Sequence, residues 1–146
     1  MRGEMTEILN HRDLEAWRVN MDAVLETYRV SNDFPRSEIY GLTSQMRRAA
    51  VSAPSNIAEG HARTGRAAIN HLTIAIGSLA ELDTELEVAV RLAYVSREGV
   101  ADLLKLIVSG RRLAYGLRRA KRRNLAVAVT TPAVLVLLAI CLLTWM

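Results

Sequence analysis

From Leu14 to Leu117 apolar residues recur at steps of three and four, interrupted only by short polar or proline-containing breaks. That period is the signature of helices with one buried face. The first run spans about Asp13 to Asp33 and carries Leu14, Trp17, Met21, Val24, Leu25 and Tyr28. It stops at Asn32-Asp33-Phe34-Pro35, because a proline disfavours helical geometry at the residue before it. The second is predicted from Ser37, as N-cap, to about Ala62, with Glu38 in its first turn. Its apolar face is Leu42, Met46, Ala49, Ala50, Ala53 and Ile57. The third, about Thr64 to Tyr94, buries Leu72, Ala75, Ile76, Leu79, Leu82, Leu86, Ala89 and Leu92. The fourth follows Ser96, an N-cap with Gly99 at N3, and uses Val100, Leu103, Leu104, Ile107, Val108, Leu113 and Leu117.

Four amphipathic helices on short joints predict an all-α fold, an antiparallel up-down-up-down four-helix bundle, with no strand signal and no internal repeat. At 146 residues the chain holds one such domain, expected over residues 1–120. Residues 121–146 form a basic flank and a hydrophobic tail. Leu125 to Met146 carry no charge, and as a helix these 22 residues extend about 33 Å, close to the apolar thickness of a bilayer. The tail is therefore a candidate transmembrane anchor for contact through residues 125–146, with Lys121, Arg122 and Arg123 held on the cytoplasmic side and Trp145 at the far interface. No signal peptide is read in the first residues, so the bundle is expected in the cytoplasm, anchored to the inner membrane if the tail inserts.

The second helix contains VSAPSNIAEG, Val51 to Gly60, which sets Pro54 among Ser52, Ser55, Asn56 and Glu59. Pro54 removes a backbone donor and crowds the carbonyl of Ala50, so a bend is expected there, with Ser52 and Ser55 serving the freed carbonyls. If the second and third helices form a hairpin turning near Arg63 to Arg66, facing residues have numbers summing to about 130. Arg48 then meets Glu81, Ser52 meets Ser78 and Gly77, Asn56 meets Thr73, and Glu59 meets Asn70 and His71. Gln45, Arg48, Ser52, Asn56, Glu59, Ser78 and Glu81 thus read as a structural polar layer, with Gly77 allowing close approach. A half-buried Arg or Glu is tolerated only when paired.

No catalytic residue is assigned. Glu-x-x-His pairs, HExxH, phosphate loops and supported Ser-His-Asp arrangements are lacking, and His71 facing Glu59 reads better as a hydrogen-bonded histidine than as an acid-base pair. The single Cys141 gives neither a disulfide nor a paired-cysteine metal site. The expectation is a non-enzymatic chain with no metal and no cofactor.

Charge is distributed unevenly. Residues 1–110 hold all 15 acidic side chains against 12 basic ones, a net of −3, whereas residues 111–146 carry +7. The candidate nucleic-acid-binding residues are Arg47, Arg63, Arg66, Arg111, Arg112, Arg118, Arg119, Lys121, Arg122 and Arg123. In an up-down-up-down bundle the ends of the second and fourth helices share a pole, so Arg63 and Arg66 join the C-terminal cluster. Such a patch suits phosphate backbones or anionic lipid headgroups.

At QMRRAAVSAPSNIAEGHAR, followed by HLTIAIGSLAELDTELEVAVRLAY, the sequence resembles the bacterial four-helix-bundle family first described as proteins encoded in intervening sequences of 23S rRNA genes. FPRSEIYGL, Phe34 to Leu42, fits the family's lead-in to its second helix, and the resemblance runs from residue 12 to about 120. It implies a homo-oligomer, a ring-shaped pentamer. Related bundles are accessories of reverse transcriptases in diversity-generating retroelements, which implies a nucleic acid and a reverse transcriptase as partners. The resemblance places Gln45, Arg48, Ser52, Pro54, Asn56, Glu59, Gly60, Ser78 and Glu81 at signature positions and brings no catalytic residues. Ala53 departs from the family's larger aliphatic, and the apolar C-terminal segment lies outside its pattern.

Overall fold

A computed structural model describes residues 10–144, with side chains described to residue 128. Its order is a 3-10 turn His11–Asp13, α1 Glu15–Ser31, a 3-10 turn Arg36–Glu38, α2 Leu42–Ala62, α3 Gly65–Arg91 and α4 Ala101–Thr144. Four helices pack together, and the described residues contain no strand. Each helix touches two neighbours, in the cyclic order α1, α2, α3, α4, and the α2–α3 contact is the most extensive.

The joints show where local chemistry differs from the expected caps. Ser37 does not begin α2; it lies within the 3-10 turn that follows Pro35. The helix starts at Leu42, whose backbone N–H donates to Oε2 of Glu38 at 3.0 Å. Glu38 thus satisfies a donor that a helix start leaves open, while its other oxygen accepts from the Tyr94 hydroxyl at 3.1 Å. Phe34, buried beside the Tyr94 ring, closes the same pole. Ser96 does accept from the Gly99 N–H at 3.1 Å, but a turn intervenes and α4 begins only at Ala101.

The α2–α3 joint is only two residues long. Thr64 is extended and Gly65 enters α3 at φ +60°, a conformation that glycine adopts without a side-chain clash. At the far end of α3 the chain exits through Ala93 at φ 57°, with the Tyr94 N–H bonded to the Ala89 carbonyl at 3.0 Å. This is a Schellman-type ending carried by an alanine where glycine is the usual choice.

The buried stripe of α1 is shifted from the expected one. Leu25 and Tyr28 stand exposed, while Ala16, Asn20, Ala23, Val24, Thr27 and Val30 face the core. The inward face packs closely on α4: a Cβ on Gly110 would lie 2.6 Å from Oδ1 of Asn20, so glycine is needed at that contact. Asn20 and Thr27 enter the interior by donating to the carbonyls of Ala16 and Ala23, each at 2.7 Å. Leu92 and Val108, expected inside, are likewise exposed.

The core has two clusters. One joins Ala23, Val30, Phe34, Met46, Leu79, Leu82, Leu86, Val100, Leu103 and Ile107, and the other joins Leu14, Ala16, Ile57, Leu72 and Ala75. The expected apolar faces of α2 and α3 otherwise hold, since Met46, Ala53, Ile57, Leu72, Leu82 and Ala89 are all fully buried. The expected boundary between residues 120 and 121 falls inside α4, which runs through it without a break. Among the described residues no helix is long and apolar enough to cross a membrane. The expectations for the side chains of residues 129–146, Trp145 included, lie outside the described residues.

Candidate nucleic-acid interface

Two polar surfaces follow from this packing. The first is the seam between α2 and α3. Ser52 and Ser78 join through their hydroxyls at 2.8 Å, as the facing arithmetic expects. Asn56 donates to the Ser52 carbonyl at 2.9 Å and to its hydroxyl at 3.2 Å. Its amide oxygen, which can only accept, takes a bond from Nδ1 of His71 at 3.0 Å, so His71 rather than Thr73 is its partner. Glu59 lies 3.9 Å from Nε2 of His71 and pairs with Arg63 at 2.8 Å. That pairing holds the Glu59 carboxyl below its ordinary range, first through the Arg63 hydrogen bond and then through its charge.

Several parts of the expected layer differ. Gln45, Arg48 and Glu81 stand exposed on the rim, and among the described residues no ion pair joins Arg48 to Glu81. Their long side chains reach water, which solvates charge without a partner. Gly77 has open space beside it, and the close approach falls at Gly60, where a Cβ would lie 3.0 Å from Cγ of Leu72 and 3.2 Å from the Ala68 carbonyl oxygen. The Ser52 hydroxyl bonds that of Ser78 and Ser55 donates to the Val51 carbonyl, so among the described bonds neither side chain serves the Ala50 carbonyl freed by Pro54.

The seam also holds a group that sequence reasoning missed. Glu85 is buried at 7% exposure and neither carboxylate oxygen has a hydrogen-bond partner among the described residues. Burial pushes its carboxyl up to about 7, the Glu81 charge adds to this, and Arg48 opposes it. The available signal was its place between Leu82 and Leu86, a position that the helical period assigns to the core.

The second surface is the outer face of α4. Its inner side is fixed by Leu103, Ile107 and Ala114, all fully buried, with Leu113 and Leu117 packed on the cluster of Leu14, Ile57 and Leu72. The helical repeat therefore turns the arginines of residues 111–123 outward or to the flanks. Arg112, Arg119, Arg122 and Arg123 are exposed, and among the described residues none has an acidic partner within 4 Å. Arg66 shares both properties at the start of α3. Arg111 instead reaches back to Asp83 at 3.6 Å, and Arg118 bonds the Thr73 hydroxyl at 3.4 Å with its guanidinium 4.9 Å from the Tyr115 ring centre. Lys121 donates to the Arg63 carbonyl at 3.2 Å, which sets the end of α2 beside the basic middle of α4.

Arg47 does not join this group. It lies on the α1–α2 side, 4.6 Å above the Tyr28 ring and bonded to the Ser31 hydroxyl at 2.9 Å. Its place near the start of α2 is far along the helix from Arg63, about 24 Å by helical rise. The residue that sequence reasoning passed over is Tyr115, which is exposed and lines a cleft of about 270 Å³ with Arg118, Arg119 and Arg122. An aromatic three, four and seven residues before arginines was the legible signal.

Taken together these features define a helical bundle with one strongly cationic helix face. A family model described as 23S rRNA-intervening sequence protein matches residues 12–116, and the chain belongs to that family. No curated protein matches the chain at a significant level.

Proposed function

We propose that this chain is a non-enzymatic module that binds nucleic acid through the outer face of α4. The observation that carries the reading is the set of exposed arginines without acidic partners among the described residues, Arg112, Arg119, Arg122 and Arg123, with Arg66 near the same pole. Cations left unpaired on a fixed face attract a polyanion and release its counterions on binding. Membership of a family named for 23S rRNA intervening sequences is compatible with RNA as that polyanion.

The reading includes the up-down-up-down course of the chain. Its support is the set of cross-helix contacts, in which Asn20 meets Gly110 while Arg29 meets Gly99, and Ser52 meets Ser78 while Asn56 meets His71. In each pair one number rises as the other falls. Self-association into a ring, in the cytoplasm, and partnership with a reverse transcriptase are further parts of the proposal. Exposed Ile39, Tyr40 and Val51 supply apolar surface for contacts between copies.

The test is a mobility-shift titration of the full chain with RNA and DNA across a salt series. Affinity falls steeply with salt, and replacing Arg112, Arg119, Arg122 and Arg123 together by Ala lowers the log-log slope by roughly 3 to 4 for a duplex. Lack of binding at low salt, or a slope unchanged in that variant, rejects the reading.

A membrane-tethered scaffold is the second reading, favoured by one observation: α4 runs unbroken from the basic face into the charge-free segment that begins at Leu125. Flotation of the full chain with liposomes, lost in a chain ending at Asn124, is its expected result. Recovery of the intact chain free of lipid and detergent rejects it.

A further inference from the structure

The cleft on α4 has a composition that the phosphate reading alone does not require. Three of its lining residues are arginines, Arg118, Arg119 and Arg122, and the fourth is Tyr115, 47% exposed. A tyrosine ring so exposed on a helix face leaves apolar surface in water, and the Arg118 guanidinium, 4.9 Å from the ring centre, covers part of it. Arg118 is itself steadied by the Thr73 hydroxyl of α3 at 3.4 Å. The ring and this cation are therefore positioned by two helices, while Arg119 and Arg122 stay free of acidic partners among the described residues.

We infer that this cleft is a single-stranded nucleic-acid subsite, in which one unpaired base stacks on the Tyr115 ring and the adjoining phosphates are gripped by Arg119 and Arg122. The inference rests on the nucleic-acid reading and narrows its ligand class. Three features favour a single strand over a duplex. An aromatic face offers stacking to a base only when that base is unstacked from its neighbours, as single strands allow. The cationic stripe from Arg112 to Arg123 extends about 17 Å by helical rise, which matches a short single-strand site of about 4 nucleotides and is too short to bridge successive grooves over about 16 base pairs. At about 270 Å³ the cleft lies just below the range of about 300–1,000 Å³ that buries a whole small ligand, as suits one nucleotide of a longer chain. Stacking is indifferent to base identity, so the subsite discriminates strandedness rather than sequence.

The experiment measures fluorescence anisotropy of the full chain at low salt with three labelled probes: a 12-nucleotide oligouridine, a 12-nucleotide oligothymidine and a 12-base-pair blunt RNA duplex. Tyr115→Ala is expected to weaken both single strands by roughly 5- to 100-fold and to leave the duplex within about twofold. Tyr115→Phe keeps the π-face and stays within about twofold on all three probes. Arg122→Ala, at a side chain with no bond to the rest of the fold in the described residues, lowers the single-strand salt slope by about 0.7 and guards against a folding defect in the tyrosine variant. Single-strand affinity unchanged in Tyr115→Ala, an equal loss on strand and duplex, or an equal loss in Tyr115→Phe overturns the inference. Duplex binding without single-strand binding by the unaltered chain overturns it while sparing the broader reading. Binding of none of the three probes rejects both.

Discussion

The α2–α3 seam and the outer face of α4 are both rich in polar side chains, and they dispose of them in opposite ways. In the seam, Ser52, Ser78, Asn56 and His71 are part-buried or buried and bonded to one another across the two helices. On α4, Arg112, Arg119, Arg122 and Arg123 are exposed and meet no acid among the described residues. Most buried polar groups have their hydrogen bonds made inside the protein, because water is unavailable to them, and Glu85 is the seam's exception among the described residues. Exposed cations are solvated and remain available to an incoming anion. The seam is thus a device for holding two helices in register, and the α4 face is a device for meeting something else.

Changing the seam should therefore alter stability and leave binding alone, while changing the face should do the reverse. The largest effect is expected at the narrow end of the seam. Gly60→Val forces branched carbons toward Leu72 and the Ala68 carbonyl, already 3.0 and 3.2 Å from a bare Cβ. Overpacking of this kind costs about 1–3 kcal/mol, readable as a lower denaturant midpoint.

Glu85 comes next and turns the comparison into a pH experiment. Its carboxyl is raised to about 7 from an ordinary 4.5, so the folded state favours the protonated form. That stability is fully present below about pH 4.5 and is lost as pH rises through 7. After allowance for solvent screening the loss is on the order of 2 kcal/mol. Glu85→Gln removes this titration, so the variant gains on the unaltered chain between pH 5 and pH 8 in parallel urea titrations. A constant difference across that range contradicts the assignment.

Ser52→Ala removes the bond to Ser78 and one of two acceptors for Asn56, at a cost of about 1 kcal/mol in thermal or urea unfolding. The smallest changes are expected outside the paired seam. Glu81→Leu at the rim, and Arg112→Ala or Arg119→Ala on α4, should each shift stability by less than about 0.5 kcal/mol. The arginine variants should still weaken nucleic-acid binding. Glu81→Leu also relieves the charge that raises the Glu85 carboxyl, so its pH profile moves in the direction of the Gln variant. A large loss of stability in Glu81→Leu contradicts its exposed placement.

Much of the fold was legible because helical periodicity is a local property. The α2 and α3 faces, the turn at residues 63–66 and the Ser52–Ser78 pairing follow from counting at 3.6 residues per turn. The errors cluster where a second helix had to be known. Leu25 and Tyr28 read as core residues by hydrophobicity, yet α1 turns Asn20, Ala23, Thr27 and Val30 inward, with Asn20 against Gly110, and leaves them in solvent. Gly77 and Gly60 look equally suited to close contact in sequence, and only the packing of Leu72 selects Gly60.

The candidate site divides in the same way. The sequence by itself determined the concentration of positive charge after residue 110 and the helix that carries it, because composition and period need no partner. Only the tertiary structure decided which cations are spent. Arg47 went to Tyr28 and Ser31, Arg63 to Glu59, Arg111 to Asp83, Arg118 to Thr73 and Lys121 to the Arg63 carbonyl, while Arg66, Arg112, Arg119, Arg122 and Arg123 meet no acid among the described residues, since pairing depends on distances of a few ångströms that packing sets. The same distances left Glu85 buried without a partner and set Tyr115 beside three arginines. Charge is written along the chain, but whether a charge is satisfied is decided by which helix packs beside it.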